Sequence, residues 1–317
     1  LSGQYFWQTG LGAILWGAEW DNSIETFTKS LEENANYFIG YQYKVWSPGL
    51  TENAPIGGAR TRFEPFGREF NHFSHWVTHH LNQYGVREAK EKLFDETRKN
   101  FKYFLEKKPS DKPFFYWWGP TNTHRSWERG SGKNLWNIEP NDFKGHLPKF
   151  LPDVHDVRED ISDYFGEVQA IDKGLGVLME VLKAQGELDN TLIVVSGDHG
   201  IPGIPRAKCN LYDIGCDVAL AARWPNKIKA GRVVDDFVNL MDLAPTFCEA
   251  AKVKIPKSMT AKSLLPILVS KEVGQIDKNR NHVVTGRERH VHIARKDFLP
   301  YPQRAIRTKD YIYIINY

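Results

Sequence analysis

From Ile161 the apolar residues recur at steps of three and four, through Tyr164, Phe165, Val168, Ile171, Leu175, Leu178 and Leu182, the spacing of one helix face. The pattern predicts a helix over about Glu159 to Gln185, stopped by Gly186. A Glu-Leu-Asp-Asn turn then leads into Thr191 to Ser196, a continuous β-branched run short enough for a strand buried on both faces, and Asp198 follows at once. Upstream the theme repeats. Arg87 to Lys107 reads as a charged amphipathic helix, Pro109 to Pro113 as a turn, and Phe114 to Trp118 as a second buried strand that delivers His124 to the same edge. Val218 to Trp224 reads as a third strand, and Leu243 to Ala251 as a helix entered through an Asp242 cap. Helices alternating with buried strands predict an α/β sandwich on a largely parallel sheet, which binds ligands beyond the carboxyl ends of its strands. Gly49 to Phe73, rich in Gly, Pro and Arg, reads as a long binding loop. After Lys252 the texture changes to Lys/Pro-rich loops with short strands at Asn281 to Thr285 and Tyr311 to Asn316. We therefore expect a main domain over 1–252 and the start of a smaller α+β subdomain over 253–317.

Composition narrows the function classes. At 317 residues and 41% hydrophobic the chain can bury one large core. A net charge of +3, with both signs intermixed, argues against nucleic acid and against a membrane surface as partners. Ten Trp suit a protein that contacts sugar rings and suit a dense core equally. Cys209, Cys216 and Cys248 lack zinc-site spacing; buried thiols are the default expectation and a Cys209–Cys216 bridge the lesser one. No Asn-x-Ser/Thr acceptor occurs, which favours a bacterial protein over a lysosomal one.

Four places carry candidate chemistry. Ser196-Gly-Asp-His-Gly200 sets a carboxylate beside an imidazole at a strand end, where hard cations find oxygen and glycines let the backbone turn. Lys208, in Lys-Cys-Asn-Leu-Tyr, offers a second positive group for an anionic substrate. His124, in Gly-Pro-Thr-Asn-Thr-His, can protonate a leaving group near neutral pH. Lys44 precedes a Trp-Ser-Pro-Gly turn. Singly, each is more often a cap, a loop histidine or a solvated charge.

In this order, and with the Leu-Met-Asp-Leu-Ala-Pro-Thr helix entry, the segments resemble the formylglycine-dependent sulfatases of the alkaline-phosphatase-like superfamily, closest to the sulfamidase or heparan N-sulfatase-like branch. The resemblance implies an exported hydrolase of sulfate esters or sulfamates on a sulfated sugar or glycosaminoglycan, in the periplasm or outside the cell, or the lysosome in a eukaryote. It implies one Ca2+ held by Asp198 and His199, sulfate gripped by Lys44 and Lys208, and His124 as leaving-group acid. Arg289 and His290 would meet a second sulfate or a carboxylate, as would Arg304 in Tyr-Pro-Gln-Arg. Leu1-Ser2-Gly3 looks like the close of the family's first signature, so the residue that matures to formylglycine, and two further Asp ligands, are expected upstream of residue 1. The C-terminal subdomain is likewise expected to continue past Tyr317. Tyr43 and Trp46 depart from the family's Gly and His in the second signature, which puts sulfate release in question. The rival readings are a two-metal phosphatase or phosphodiesterase of the same superfamily and a non-catalytic relative that binds sulfated glycans.

Overall fold

The computed structural model describes residues 1–10, 18–46, 49–52, 54–288 and 295–317. In chain order its elements are α1 (Phe27–Ala35), β1 (Phe38–Tyr43), α2 (Phe73–His79), α3 (Leu81–Lys107), β2 (Phe114–Gly119), α4 (Ser131–Trp136), α5 (His155–Ala184), β3 (Ile193–Ser196), the short turn α6 (Asp213–Cys216), β4 (Leu220–Arg223), α7 (Leu243–Ala250), α8 (Leu265–Val269), β5 (His282–Arg287), β6 (Gln303–Thr308) and β7 (Ile312–Asn316).

Strands β1 and β2 run parallel, from Phe38 opposite Phe114 to Tyr43 opposite Gly119. Side chains alternate across a strand, and β1 uses both faces. Ile39 and Tyr41 pack with Phe27 and Leu31 of α1 and Ala244 and Cys248 of α7. Phe38 faces the other way, toward Phe101 and Phe104 of α3 and Leu178, Val181 and Leu182 of α5. Helices thus cover both faces, the layering expected of an α/β sandwich. On the α3 side Gly40 leaves room for Phe104, since a Cβ there would lie 2.3 Å from the ring. Gly40→Ala is accordingly expected to lower stability by about 1–3 kcal/mol, the usual cost of overpacking, read as a drop in urea midpoint at unchanged slope.

Other expectations need correction. Strand β3 is not a parallel strand buried on both faces. It pairs antiparallel with β4, Ile193 opposite Arg223, and Val195 and Ser196 are exposed. Along the first half of α5 the buried face is Ser162, Asp163, Gly166, Glu167 and Ala170, whereas Phe165 faces solvent. The helix is turned away from its apolar stripe because its carboxylates satisfy buried donors: Asp163 accepts from the backbone N–H groups of Gly130 and Gly132, and Glu167 from the Ser74 N–H and the Asn122 side-chain amide. Burial raises the pKa of both. Within the 49–73 segment a parallel bridge joins Arg62 to Tyr41, and short helical turns form at Ala59–Thr61 and Glu69–His72.

Asp242 does not cap α7 with its side chain. It is buried, pairs with buried Arg280 at 2.8 Å and accepts from the backbone of Asn239 and Lys262. The C-terminal strands form an antiparallel β5–β6–β7 meander. All three cysteines are free; only Cys248 is fully buried. Among the described residues no helix is long and apolar enough to cross a membrane.

Candidate active site

Lys44 leaves the end of β1. Its N–H donates to Gly119 O at 2.9 Å, and its carbonyl lies so close to Gly119 that a Cβ there would sit 2.0 Å away. Tyr43, just before it, has φ of 70°, a conformation in which glycine is at ease and tyrosine is strained. Tyr43 is held there by its hydroxyl, which donates to Glu96 at 2.8 Å, and by its N–H, which donates to Glu64. Burial and the Glu96 charge push the phenol pKa up. The indole of Trp46 donates to Leu50 O and meets Trp20 edge-on at 5.2 Å, so it fills space beside Gly49 and Gly57.

At the end of β3, His199 Nδ1 lies 2.8 Å from Gly200 O. A carbonyl only accepts, so Nδ1 carries the proton and the lone pair of the neutral ring is on Nε2. That nitrogen faces Asp198 Oδ2 at 3.5 Å. Two electron-pair donors this close leave a place for a cation, a proton or a metal ion, and the backbone-bonded Nδ1–H is the usual outer support of a metal-bound histidine. Asp198 is exposed, with its carboxylate open to solvent. The pair fits a divalent cation.

Lys208 is brought to the same place by a tightly folded loop. Arg206 and Cys209 take φ of 67° and 69°, and Gly215 lies where a Cβ would be 2.5 Å from the carbonyls of Ala207 and Asn210. Non-glycine residues at positive φ cost free energy and cluster at functional sites. Half-burial lowers the Lys208 pKa, Cys209 and Asp198 oppose that shift, and the nearby Lys44 charge adds to it. Asp198 and Lys44 therefore each lie within electrostatic reach of Lys208.

His124 is exposed, and its Nδ1 donates to Arg125 O at 2.7 Å, which frees Nε2. No contact joins its ring directly to the two lysines among the described residues. Arg125 makes the connection through the backbone. Its guanidinium pairs both nitrogens with both oxygens of Asp160 on α5, its Nε donates to Pro202 O at 2.8 Å, and it lies 4.2 Å over Trp127. Gly203, at φ of 81°, admits this approach, for a Cβ would lie 2.4 Å from Arg125 Nε. The His124 loop and the loop after His199 are thus fastened to each other. Sequence reasoning missed Arg125 and Asp160; the glycine two residues beyond Ile201 was the faint signal.

The C-terminal sheet docks on the Lys208 loop. Arg287 donates to Cys209 O at 2.6 Å, and Arg307 forks onto Asp213. Arg304 pairs with Glu288 and covers Trp7 at 4.2 Å, so its partners are groups of the protein itself. Arg289 and His290 lie outside the described residues.

Against known proteins, residues 18–253 match the sulfatase family model and residues 206–317 match that of the C-terminal region of N-sulphoglucosamine sulphohydrolase. An ulvan-active sulfatase of Formosa agariphila is 27% identical over 89% of this chain and 43% of its own length. Human N-sulphoglucosamine sulphohydrolase is 27% identical over 54% of the chain and 34% of its own length. The chain thus spans less than half the length of these relatives. A solved structure in complex with its substrate D-glucosamine-2-N,6-O-disulfate overlays 99% of this chain and 77% of that one at TM-score 0.62 and 17% identity. The fold is the alkaline-phosphatase-like α/β fold, and with a family model covering most of its length the chain belongs to the sulfatase family.

Proposed function

We propose that this chain is the core of a hydrolase that removes sulfate, as ester or sulfamate, from a sulfated sugar or glycosaminoglycan. The observation that carries the reading is the half-buried Lys208 ammonium within reach of both Asp198 and Lys44. A sulfate oxygen developing charge needs fixed cations in a site with little water. Two lysines and one divalent ion provide them.

Asp198 and His199 would hold the ion, for which we propose Ca2+; when bound it supplies a fixed positive charge against the sulfate oxygens. Lys44 and Lys208 would grip and orient the sulfate. His124 would act in its imidazolium form, with Nδ1–H tied to Arg125 O and Nε2–H giving its proton to the departing oxygen or nitrogen. Arg289 and His290 would meet a second anionic group of the sugar. The nucleophile of the proposed reaction would be a formylglycine. We read 1–252 as the catalytic domain and 253–317 as belonging to a smaller C-terminal subdomain. An exported protein fits this substrate class. The relatives' names, an ulvan sulfatase and an N-sulphoglucosamine sulphohydrolase, support a sulfated carbohydrate as the partner.

The test is free sulfate, measured by ion chromatography, after the full-length parent meets D-glucosamine-2-N,6-O-disulfate or ulvan oligosaccharides. Release that depends on one bound Ca2+ per chain is expected. Paired Zn2+ or Mn2+ with phosphate-ester hydrolysis, or glycan binding without release, would overturn the proposal.

A further inference from the structure

We propose that the groove along α2 is a second divalent-cation site, for a transition metal such as Zn2+ or Cu2+, clamped by His75 and His79 with Glu128 orienting the first ring. The groove encloses about 510 Å³ and is lined by Glu69, His72, His75, His79, His80 and Glu128, among others. Four of the 11 histidines in the chain gather here. None belongs to the candidate active site, and the proposal does not depend on the sulfatase reading.

The local chemistry favours a metal over an anion. Imidazole with carboxylate is the donor set of zinc, copper and nickel sites, and two carboxylates on the rim would repel sulfate. Residues three and four apart share a helix face, so His72, His75 and His79 line one side of α2, and a His pair four apart is a familiar two-nitrogen clamp. His75 is prepared for such a role. Its Nδ1 lies 3.0 Å from Glu128 Oε2, and a carboxylate accepts, so Nδ1–H donates and the Nε2 lone pair is free for a ligand. Nε2 now meets only the Ser126 hydroxyl, at 3.2 Å. A carboxylate behind a histidine ring fixes its tautomer and raises its basicity toward a metal. His72 and His79 are exposed, and the His79 ring meets that of His80 edge-on at 5.0 Å, a contact it would give up to join the metal. His80 is not a ligand in this scheme, because its ring is stacked 4.0 Å from Trp76 and its Nδ1 is bonded to Trp76 O.

Among the described residues the one set of three donors that already converges is His155, Asp156 and Glu159 at the start of α5. Arg129 occupies both of its carboxylates, at 3.1 and 2.7 Å, and supplies the positive charge that a metal would bring. Among the described residues, none that lines the α2 groove is an Arg or a Lys. The groove offers two protein nitrogens, with water completing the coordination.

The experiment titrates the full-length protein, saturated with Ca2+, with Cu2+ and reads the electron paramagnetic resonance spectrum. One tight equivalent with superhyperfine structure from two imidazole nitrogens is expected. Affinity should fall at least tenfold in His75→Ala and in His79→Ala, and about tenfold in Glu128→Gln, with His80→Ala unchanged. Independently of any variant, Zn2+ should protect His75 and His79 of the wild-type protein from acylation by diethylpyrocarbonate, read by peptide mass spectrometry. Undiminished Cu2+ binding in the His75→Ala/His79→Ala double variant, loss of binding only in His199→Ala, or absence of Zn2+ protection overturns the proposal.

Discussion

Lys208→Ala in the full-length parent is expected to lower kcat for sulfate release by about 10²–10³, equivalent to about 2.7–4 kcal/mol, the usual cost of removing one fixed contact to a developing oxyanion. The figure follows from where the amine sits. Its loop is held at two non-glycine positive-φ positions and folds over Gly215, so the ammonium is delivered to Asp198 and Lys44 with little freedom to lose on binding. Lys208→Arg should restore little, because a planar fork does not replace a point charge in a cradle shaped for one. The pH profile provides a second reading. Burial holds the Lys208 pKa below the ordinary lysine value, with Lys44 adding to the shift. The ammonium is lost as pH rises through the folded pKa, so the alkaline limb of kcat should fall at lower pH than for an ordinary lysine. Lys44→Met removes the neighbouring repulsion, and residual activity should then persist to higher pH. Near-normal turnover by Lys208→Ala would exclude the lysine from the site.

Arg280→Met is expected to destabilise the fold by about 3–5 kcal/mol, the cost of leaving a buried charge without its partner. Both side chains of the Arg280–Asp242 pair are below a tenth exposed. The guanidinium also donates to the carbonyls of Lys262 and Ser263, which would be left short of a donor. Asp242 in turn holds the Asn239 and Lys262 N–H groups, so one pair secures the entry to α7, the 262–263 backbone and the approach to β5. Urea denaturation provides the measurement. Arg280→Met with Asp242→Leu should recover part of the loss, since removing both charges also removes the desolvation cost. A single-variant loss under about 1 kcal/mol would assign the pair the weight of a surface salt bridge.

What could be read from the chain, and what could not, divides along physical lines. The helix over 155–184 and the strand over 114–119 were legible because their apolar periodicity is strong and local. Strand β1 was not, for Gly40 and Gln42 are poor strand residues taken alone. Gly40 is required by Phe104, and buried Gln42 accepts from the Tyr116 hydroxyl, both contacts from distant parts of the chain. The rotated face of α5 escaped notice for a similar reason: Asp163 and Glu167 look like surface acids until Gly130, Gly132 and Ser74 are seen to need them. In the candidate site, Lys44, Asp198 and Lys208 were marked by strand ends and turns, and Lys208 comes within electrostatic reach of the other two. Arg125 was invisible because a basic residue beside a histidine has no distinguishing pattern in one dimension.

The shared fastening of Arg125 to Asp160, Pro202 and Trp127 makes two loops one mechanical part. The loops that carry His124 and follow His199 are held in one frame, so Asp160→Ala is expected to loosen both together. A single side chain thus gives two stretches of chain far apart in sequence a common anchor on α5.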